Sequence, residues 1–204
     1  MMKKMMTISY EVGDKLYMNI TNKCPCNCTF CIRNNADGAY GSDSLWLEHD
    51  PDIDEIKAEI DKRDIEKYNE IIYCGYGEPT SRLNELIASA KHLKSIENCP
   101  PLRLNTNGLS DLINERETAN EIGELFDVVS VSLNAGTENE YMRVTRPKYS
   151  NAFEAMQKFA VDCSKTSANV MMSVVDVIPE EEIEAAKRLC DNINVKLRIR
   201  KYES

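Results

Sequence analysis

Four of the chain's eight cysteines fall within eight residues, at Cys24, Cys26, Cys28 and Cys31. Pro25, Asn27 and Thr29 stand between them and cannot form an apolar face, so burial of small hydrophobic residues does not explain this density. Thiolates bind zinc or iron-sulfur clusters in preference to hard cations such as Mg²⁺. The loop over residues 23–34 is therefore predicted to hold a metal centre.

The spacing of these cysteines narrows the kind of centre. A closed structural zinc site takes four ligands, usually from two separated pairs, but the other cysteines are isolated and the only histidines are His49 and His92. Cys24, Cys28 and Cys31 form a C-x3-C-x2-C pattern, which supplies three thiolates to a four-iron cluster that needs four ligands. One iron is then left open. A zinc site using all four cysteines of the loop, or a simple electron carrier, is the alternative.

Composition limits the class of protein. The 204 residues suffice for one domain with a hydrophobic core, and we predict a single domain over residues 1–204. The chain has no run of about 18 apolar residues, and no signal-peptide segment follows the initial MMKKMM, so we expect no membrane span and a cytoplasmic location. Cytoplasmic thiols stay reduced, which favours metal ligands or buried thiols over disulfides. A net charge of −9 disfavours binding to nucleic acid.

The elements that must position the cysteines follow from residue patterns. Alternating apolar residues predict a strand over residues 15–22 that runs into the cysteine loop, with a hairpin partner at residues 7–12. Further strands are predicted at residues 70–74, 102–105, 128–133, 170–177 and 195–200. A helix is expected to begin at Asp50-Pro51, with Asp50 as N-cap, and others at residues 81–95, 119–125, 151–164 and 180–190.

Strands that alternate with helices pair in parallel through right-handed crossovers. The sequence therefore predicts an α/β fold, a partial, open (β/α)6 barrel, since eight units would need about 250 residues. In barrels the chemistry lies at the carboxyl ends of the strands. The second strand runs into Gly-Tyr-Gly-Glu-Pro, the third into Asn-Thr-Asn-Gly, and the fourth ends in Ser-Leu-Asn. We expect these segments to meet the cysteine loop in one site.

The last predicted strand alternates apolar residues with Lys196, Arg198 and Arg200. If its apolar face packs on helices, these cations line the barrel interior and suit anionic groups, because arginine binds carboxylates through two hydrogen bonds. The alternative is an exposed edge strand whose charges block aggregation.

The three-cysteine pattern, with Phe30 before its last cysteine, resembles the radical S-adenosylmethionine (SAM) superfamily. The resemblance implies a [4Fe-4S] cluster on Cys24, Cys28 and Cys31, with the amino and carboxylate groups of SAM on the fourth iron. It implies that an electron from an external flavodoxin- or ferredoxin-type donor cleaves SAM to methionine and a 5′-deoxyadenosyl radical, which abstracts hydrogen from a substrate. The enzyme would be of the oxidoreductase or lyase type, and the partial barrel is the fold that the resemblance implies.

The resemblance also implies SAM contacts. Gly77-Glu78-Pro79 resembles the superfamily's glycine-glycine-glutamate-proline segment, which binds the amino group of SAM, and Tyr76 stands where that pattern has its first glycine. The other cofactor-binding candidates are Phe30, Asn105, Asn107, Ser132, Asn134 and, for the SAM carboxylate, Arg143, Arg146, Arg198 or Arg200. Of these, Ser132 and Asn134 match positions that hold ribose hydroxyls in relatives.

Longer segments look like the TatD-associated radical SAM proteins, namely residues 16–22, 24–33, 74–80 and 103–108. This closer resemblance extends from about Lys15 to Tyr202 and implies a functional link to a TatD-type metal-dependent hydrolase. Cys26 belongs to this pattern but is out of register with the ligand set, so we expect it near the cluster and unligated. The family does not indicate the substrate.

Three other functions stay open at this point. Within the superfamily, the chain could be an activating enzyme that makes a glycyl radical on another protein, or a small-molecule enzyme resembling the carboxydeazaguanine synthases. Outside it, the chain could be a noncatalytic zinc-binding module. Metal content separates the classes, because the module would hold zinc without sulfide and the enzyme would hold four irons with four sulfides.

Overall fold

A sheet of seven strands organises the chain, and the computed structural model describes it within residues 4–201. The strands are β1 (Ser9–Val12), β2 (Lys15–Met18), β3 (Glu70–Tyr73), β4 (Leu102–Thr106), β5 (Val128–Ser132), β6 (Asn169–Val175) and β7 (Lys196–Arg200). Their order in the sheet follows the chain, with β1 antiparallel to β2 and every later pair parallel. Residues 1–3 and 202–204, which belong to the predicted domain, lie outside the described residues.

Helices connect the parallel strands. They are α1 (Ile53–Asp61), α2 (Leu83–Lys94), α3 (Ser110–Asn114), α4 (Ala119–Leu125), α5 (Glu138–Thr145), α6 (Ala152–Cys163) and α7 (Glu180–Asn192). Because β1 and β7 stand at opposite ends of the sheet, the sheet is open, and the predicted partial barrel of six strand-helix units is confirmed. The prediction did not include α3 and α5. Across residues 4–201, the helices lack the length and apolar character that a membrane span requires.

The start of α1 differs from the prediction. Asp52, not Asp50, is the N-cap: its side chain accepts from the backbone N–H of Glu55 (2.9 Å), and the Glu55 side chain accepts from the backbone N–H of Asp52 (2.9 Å). Asp50 instead accepts from the hydroxyl of Thr21 (2.8 Å) and pairs with Lys23 (2.7 Å). The expectation of an Asp50 N-cap was wrong because this carboxylate is used by the segment that enters the cysteine loop.

The parallel strands have one apolar and one polar face. The apolar face is buried against the helices and includes Met18, Ile71, Leu104, Val131 and Met172. The opposite face carries two rows of paired residues, Asn105–Ser130–Met171–Lys196 and Ser132–Ser173–Arg198. The sheet therefore has a polar interior face, and the second of these rows lies two residues nearer the carboxyl ends of the strands than the first.

The last strand, β7, combines both of the arrangements considered for it. Leu197 packs against the main core, which turns the cations of β7 to the polar face of the sheet. The strand is also terminal in the sheet, its three cations are exposed, and Ile199 is 46% exposed. The cations of β7 therefore belong to the interior face but stand at its open edge.

Candidate functional site

The cysteine loop follows β2 and is held by backbone hydrogen bonds on two sides. The amide of Glu78 donates to the carbonyl of Lys23 (2.7 Å), which joins the loop to the segment after β3. The amide of Thr29 donates to the carbonyl of Val144 (2.8 Å) in the last turn of α5. The loop thus lies between the carboxyl end of β3 and a short helix that the sequence pattern did not reveal.

Gly77 allows the first of these approaches. A Cβ atom at this position would lie 2.3 Å from the carbonyl oxygen of Thr21 and 2.7 Å from that of Lys23. Both are backbone atoms that cannot rotate away, so only glycine fits where the two segments cross. Gly77, which belongs to the segment predicted to bind SAM, is thus required by the packing of the cysteine loop.

Three of the four thiols form a contiguous group in which Cys26 lies between Cys24 and Cys28. Hydrogen bonds with Cys26 lower the pKa of the Cys24 and Cys28 thiols, and the same contacts with burial raise the pKa of Cys26. Burial raises the pKa of Cys31, which stands close enough to Cys24 and Cys28 to sense their charge. Two of the three predicted ligands are thus the thiols that ionise most readily in the loop.

The donor set fits an iron-sulfur cluster. Within residues 4–201, no three His, Cys, Asp or Glu side chains converge on a point that would hold a single metal ion. A cuboidal cluster does not need such convergence, because each cysteine binds a different iron. Cys24, Cys28 and Cys31 are partly exposed free thiols, whereas Cys26 is 6% exposed. Partly accessible thiols in one anchored loop match the soft ligands that such a cluster requires.

The carboxylate of Glu78 links the segments that follow β3 and β4. It is 4% exposed; Oε1 accepts from the Thr80 amide (3.1 Å) and the Thr106 hydroxyl (2.8 Å), and Oε2 accepts from the Asn107 amide (2.7 Å). The Thr80 hydroxyl donates as well (2.8 Å). Burial raises the pKa of Glu78, and these hydrogen bonds oppose the rise. Glu78 therefore holds two loops together, and its contact with SAM stays a prediction.

Asn107 turns its side chain to the cysteine loop. Its Nδ2 lies 3.8 Å from the sulfur of Cys26 and 4.0 Å from that of Cys24. Asn105, two residues earlier, is half-buried and hydrogen-bonds to Cys74, whose pKa burial raises. Among the described residues, Oδ1 of Asn105 has no partner. The two asparagines thus face different neighbours: one the cysteine loop, the other the interior.

Ser132 and Asn134 stand at the carboxyl end of β5. Ser132 is half-buried and pairs in register with Ser173 of β6. Asn134 has φ of 64°, a left-handed conformation that asparagine adopts more readily than most residues, and its amide donates to the carbonyl of Ser173 (3.1 Å). Ser132 therefore lies on the strand next to that of Asn105 and on the same polar face of the sheet, and Asn134 follows two residues later.

The other SAM candidates lie farther out. Phe30 is half-buried and packs against the main core rather than standing free. Arg143 is exposed and pairs with Glu140 of its own helix, and Arg146 is the exposed C-cap of α5. Arg198 is exposed on β7. The structure thus brings together the cysteines, Glu78 and Asn107, and leaves the candidate arginines at the periphery.

An aromatic cluster beside the site was not foreseen. Tyr10, Tyr17, Trp46 and Tyr76 belong to a second hydrophobic cluster, in which Trp46 packs edge-on against Tyr76 with ring centroids 5.2 Å apart. Trp46 also lines a cavity of about 640 Å³ together with residues 33–37. Trp46 itself is half-buried. The residues come from distant segments, so no local pattern indicated the cluster.

Three solved structures resemble this chain in fold. Streptococcus suis SuiB bound to the precursor peptide SuiA is 14% identical with a TM-score of 0.65; the match covers 93% of this chain and 39% of that one. SuiB bound to S-adenosylmethionine is 13% identical with a TM-score of 0.64, covering 92% and 38%. Methylornithine synthase (PylB) is 11% identical with a TM-score of 0.56, covering 93% and 53%. The chain therefore spans about two fifths to one half of the length of these proteins.

Sequence comparison identifies the family. Among curated proteins, none matches this chain. The family model described as the Radical SAM superfamily matches residues 18–193, which include the cysteine loop and every parallel strand except β7 and the first three residues of β2. This match covers well over half of the 204 residues. The chain therefore belongs to the radical SAM superfamily.

Proposed function

We propose that this protein is a radical SAM enzyme in which Cys24, Cys28 and Cys31 hold a [4Fe-4S] cluster. The observation that carries the proposal is the placement of the three cysteines in one anchored loop at the carboxyl end of β2, next to the ends of β3 and β4. Members of the superfamily are enzymes, and the superfamily implies both the cluster and SAM. The likeness to the SAM-bound SuiB structure supports the same cofactor.

In this proposal the residues of the chain bind and orient the cluster, SAM and the substrate. When bound and reduced, the cluster and SAM supply a carbon radical that removes a hydrogen atom from the substrate. Gly77 lets the segment after β3 lie against the cysteine loop, and Glu78 locks that segment to the one after β4. Ser132 and Asn134 would contact SAM from the end of β5. The polar interior face between β4 and β6 would hold the substrate.

We also propose a narrower group within the superfamily, a class of electron donor and an unligated state for Cys26. The segments that resemble the TatD-associated radical SAM proteins support membership of that group and a functional link to a TatD-type hydrolase. An external flavodoxin- or ferredoxin-type protein would supply the electron. Cys26, buried between two predicted ligands, would stay unligated.

The test is anaerobic reconstitution with iron and sulfide, followed by mixing with SAM and dithionite. We expect four irons and four sulfides per chain and release of 5′-deoxyadenosine, detected by chromatography. Cys28→Ser should abolish both cluster and product. Cys99→Ser, which changes a cysteine outside the loop, is the matched control and should retain them. Zinc at one per chain without sulfide would refute the enzyme and support a zinc-binding module.

A further inference from the structure

The side chain of Asn107 is oriented toward the cysteine loop by its other contacts. Its Oδ1 accepts from the backbone N–H of Leu109 (2.9 Å), and its backbone N–H donates to Oε2 of Glu78 (2.7 Å). A backbone N–H cannot accept a hydrogen bond, so the amide oxygen must face Leu109. The NH₂ group is then directed at the sulfurs of Cys24 and Cys26, at 4.0 and 3.8 Å.

The geometry provides enough donors for both sulfurs. The NH₂ group of an asparagine has two N–H bonds, which is one for each of the two sulfurs. The backbone of Asn107 is also held in place, because its N–H donates to the buried carboxylate of Glu78. Asn107 is therefore a fixed, neutral hydrogen-bond donor next to a predicted cluster ligand.

We propose that Asn107 donates a hydrogen bond from Nδ2 to the Cys24 thiolate and thereby eases reduction of the cluster. The proposal rests on the proposed function, since it takes Cys24 as a ligand. Reduction adds one electron from an external low-potential donor, takes the cluster from the 2+ to the 1+ state, and breaks no bond. The added negative charge spreads to the cysteine sulfurs, so a donor to sulfur stabilises the reduced state more and raises the reduction potential.

Asn107→Ser tests this directly. A serine hydroxyl can still accept from the Leu109 amide and preserve the turn, but it is too short to reach the sulfurs. We expect the ratio of reduced to oxidised cluster at a fixed potential to fall about tenfold, a shift of about 59 mV for a one-electron couple. The measurement is an EPR-monitored redox titration without SAM, with iron and sulfide counted in the same samples.

Two controls separate this role from general loosening of the loops. Asn114→Ser removes an amide that donates to the carbonyl of Thr80 (3.1 Å) without contacting the cysteines, and it should leave the potential unchanged. The Asn107→Ser shift should persist in a Cys26→Ala background. An unchanged potential in Asn107→Ser with an intact cluster would overturn the proposal. A shift that vanishes in the Cys26→Ala background would show that Asn107 acts through Cys26 and not through Cys24, which would also overturn the proposal.

A second measurement uses the unaltered chain, in case Asn107→Ser does not retain the cluster. Protein labelled with ¹⁵N at the side-chain amides of asparagine is reduced and studied by pulsed EPR. We expect a ¹⁵N hyperfine coupling to the reduced cluster, and its absence would contradict the proposed hydrogen bond. If the unaltered protein holds no four-iron cluster at all, the proposed function fails together with this inference. A cluster that forms but shows no coupling refutes the inference alone.

Discussion

Gly77 shows at residue scale how one missing side chain positions the cysteine loop. Gly77→Ala would place a Cβ atom 2.3 Å from the backbone carbonyl of Thr21, where the two segments cross. We expect a loss of about 2–3 kcal/mol in unfolding free energy, typical of overpacking against rigid atoms. We also expect reduced iron binding per folded chain, because the loop must move away. Urea denaturation and iron analysis after reconstitution measure the two effects.

Gly136 offers a matched control for this prediction. A Cβ at Gly136 would lie 2.3 Å from the backbone nitrogen of Ala186, so Gly136→Ala crowds the backbone as severely, but against α7. Gly136→Ala should lose similar stability and keep its iron. Equal iron loss in both variants would indicate that Gly77 affects the cluster through global stability alone.

Glu70 forms an ion network with two cations on the polar face of the sheet. Its Oε1 accepts from Arg103 (2.8 Å) and its Oε2 from Lys15 (3.0 Å). Burial alone would raise the pKa of Glu70, but the hydrogen bonds from Arg103 and Lys15 hold it below its ordinary value of 4.5. A carboxyl group with a lowered pKa contributes stability above its unfolded-state pKa and loses it as pH falls through the folded-state value.

Glu70→Gln should therefore destabilise the protein in a pH-dependent way. At pH 7 we expect a loss of about 3 kcal/mol, because Arg103 is left partly buried without its carboxylate. The difference from the unaltered protein should shrink as pH falls from 4.5 through the lowered pKa of Glu70, where the carboxylate of the folded protein protonates. Urea denaturation from pH 3 to 7 measures it. Glu97→Gln, at an exposed position, is the control; a difference that stays constant with pH would contradict the electrostatic explanation.

At the scale of elements, α1 depends on a cap that lies two residues beyond the expected one. Asp52 and Glu55 exchange hydrogen bonds with each other's backbone N–H, so two of the unpaired backbone donors at the start of the helix are satisfied. Asp52→Ala should cost about 1 kcal/mol. Asp54→Ala, an exposed acid in the same turn, should cost less, since it changes only the interaction with the helix dipole. Thermal unfolding of the protein measures both; equal losses would show that charge, not capping, stabilises α1.

The short helices explain part of what sequence reasoning missed. Long strand and helix patterns, such as those of β5 and α6, were recognised because their apolar residues repeat over several turns or alternations. By contrast, α3 has only five residues, too few to establish a period, and α5 was missed although its eight residues exceed the seven of the predicted α4. Helix α5 holds the cysteine loop through backbone carbonyls, such as that of Val144. Every residue has a backbone carbonyl, so the sequence does not indicate which ones make such contacts.

For the whole molecule, the order and direction of the strands were predictable, and so was the meeting of the cysteine loop with the segments that follow β3 and β4. The parallel strands β2 to β5 each end in a cysteine-rich, polar or glycine-rich segment, which the sequence displays directly. The sequence did not show which residues of the site hold its loops together. Glu78 carries the expected motif, yet its carboxylate joins two loops through contacts with Thr106 and Asn107 that lie about thirty residues away. Such partners depend on tertiary packing, which no local pattern records.

The open sheet leaves two explanations for the cations of β7. Arg198 pairs in register with Ser173, and Ser173 with Ser132, so the arginine shares a face with the predicted ribose contact. Yet β7 is also the terminal strand, where exposed charges prevent pairing with other chains. A closed barrel would not raise this question, because every strand would have two neighbours.

Arg198→Ala distinguishes the two roles. If the guanidinium holds the SAM carboxylate, its loss should weaken SAM binding about tenfold, the effect of one charged hydrogen bond of about 1.5 kcal/mol. Equilibrium dialysis with radiolabelled SAM on the reconstituted protein measures the affinity, and light scattering measures aggregation. Arg188→Ala, an exposed arginine on α7, is the control and should change neither. Unchanged SAM affinity with increased aggregation would show that Arg198 protects the edge of the sheet and that the SAM carboxylate binds elsewhere.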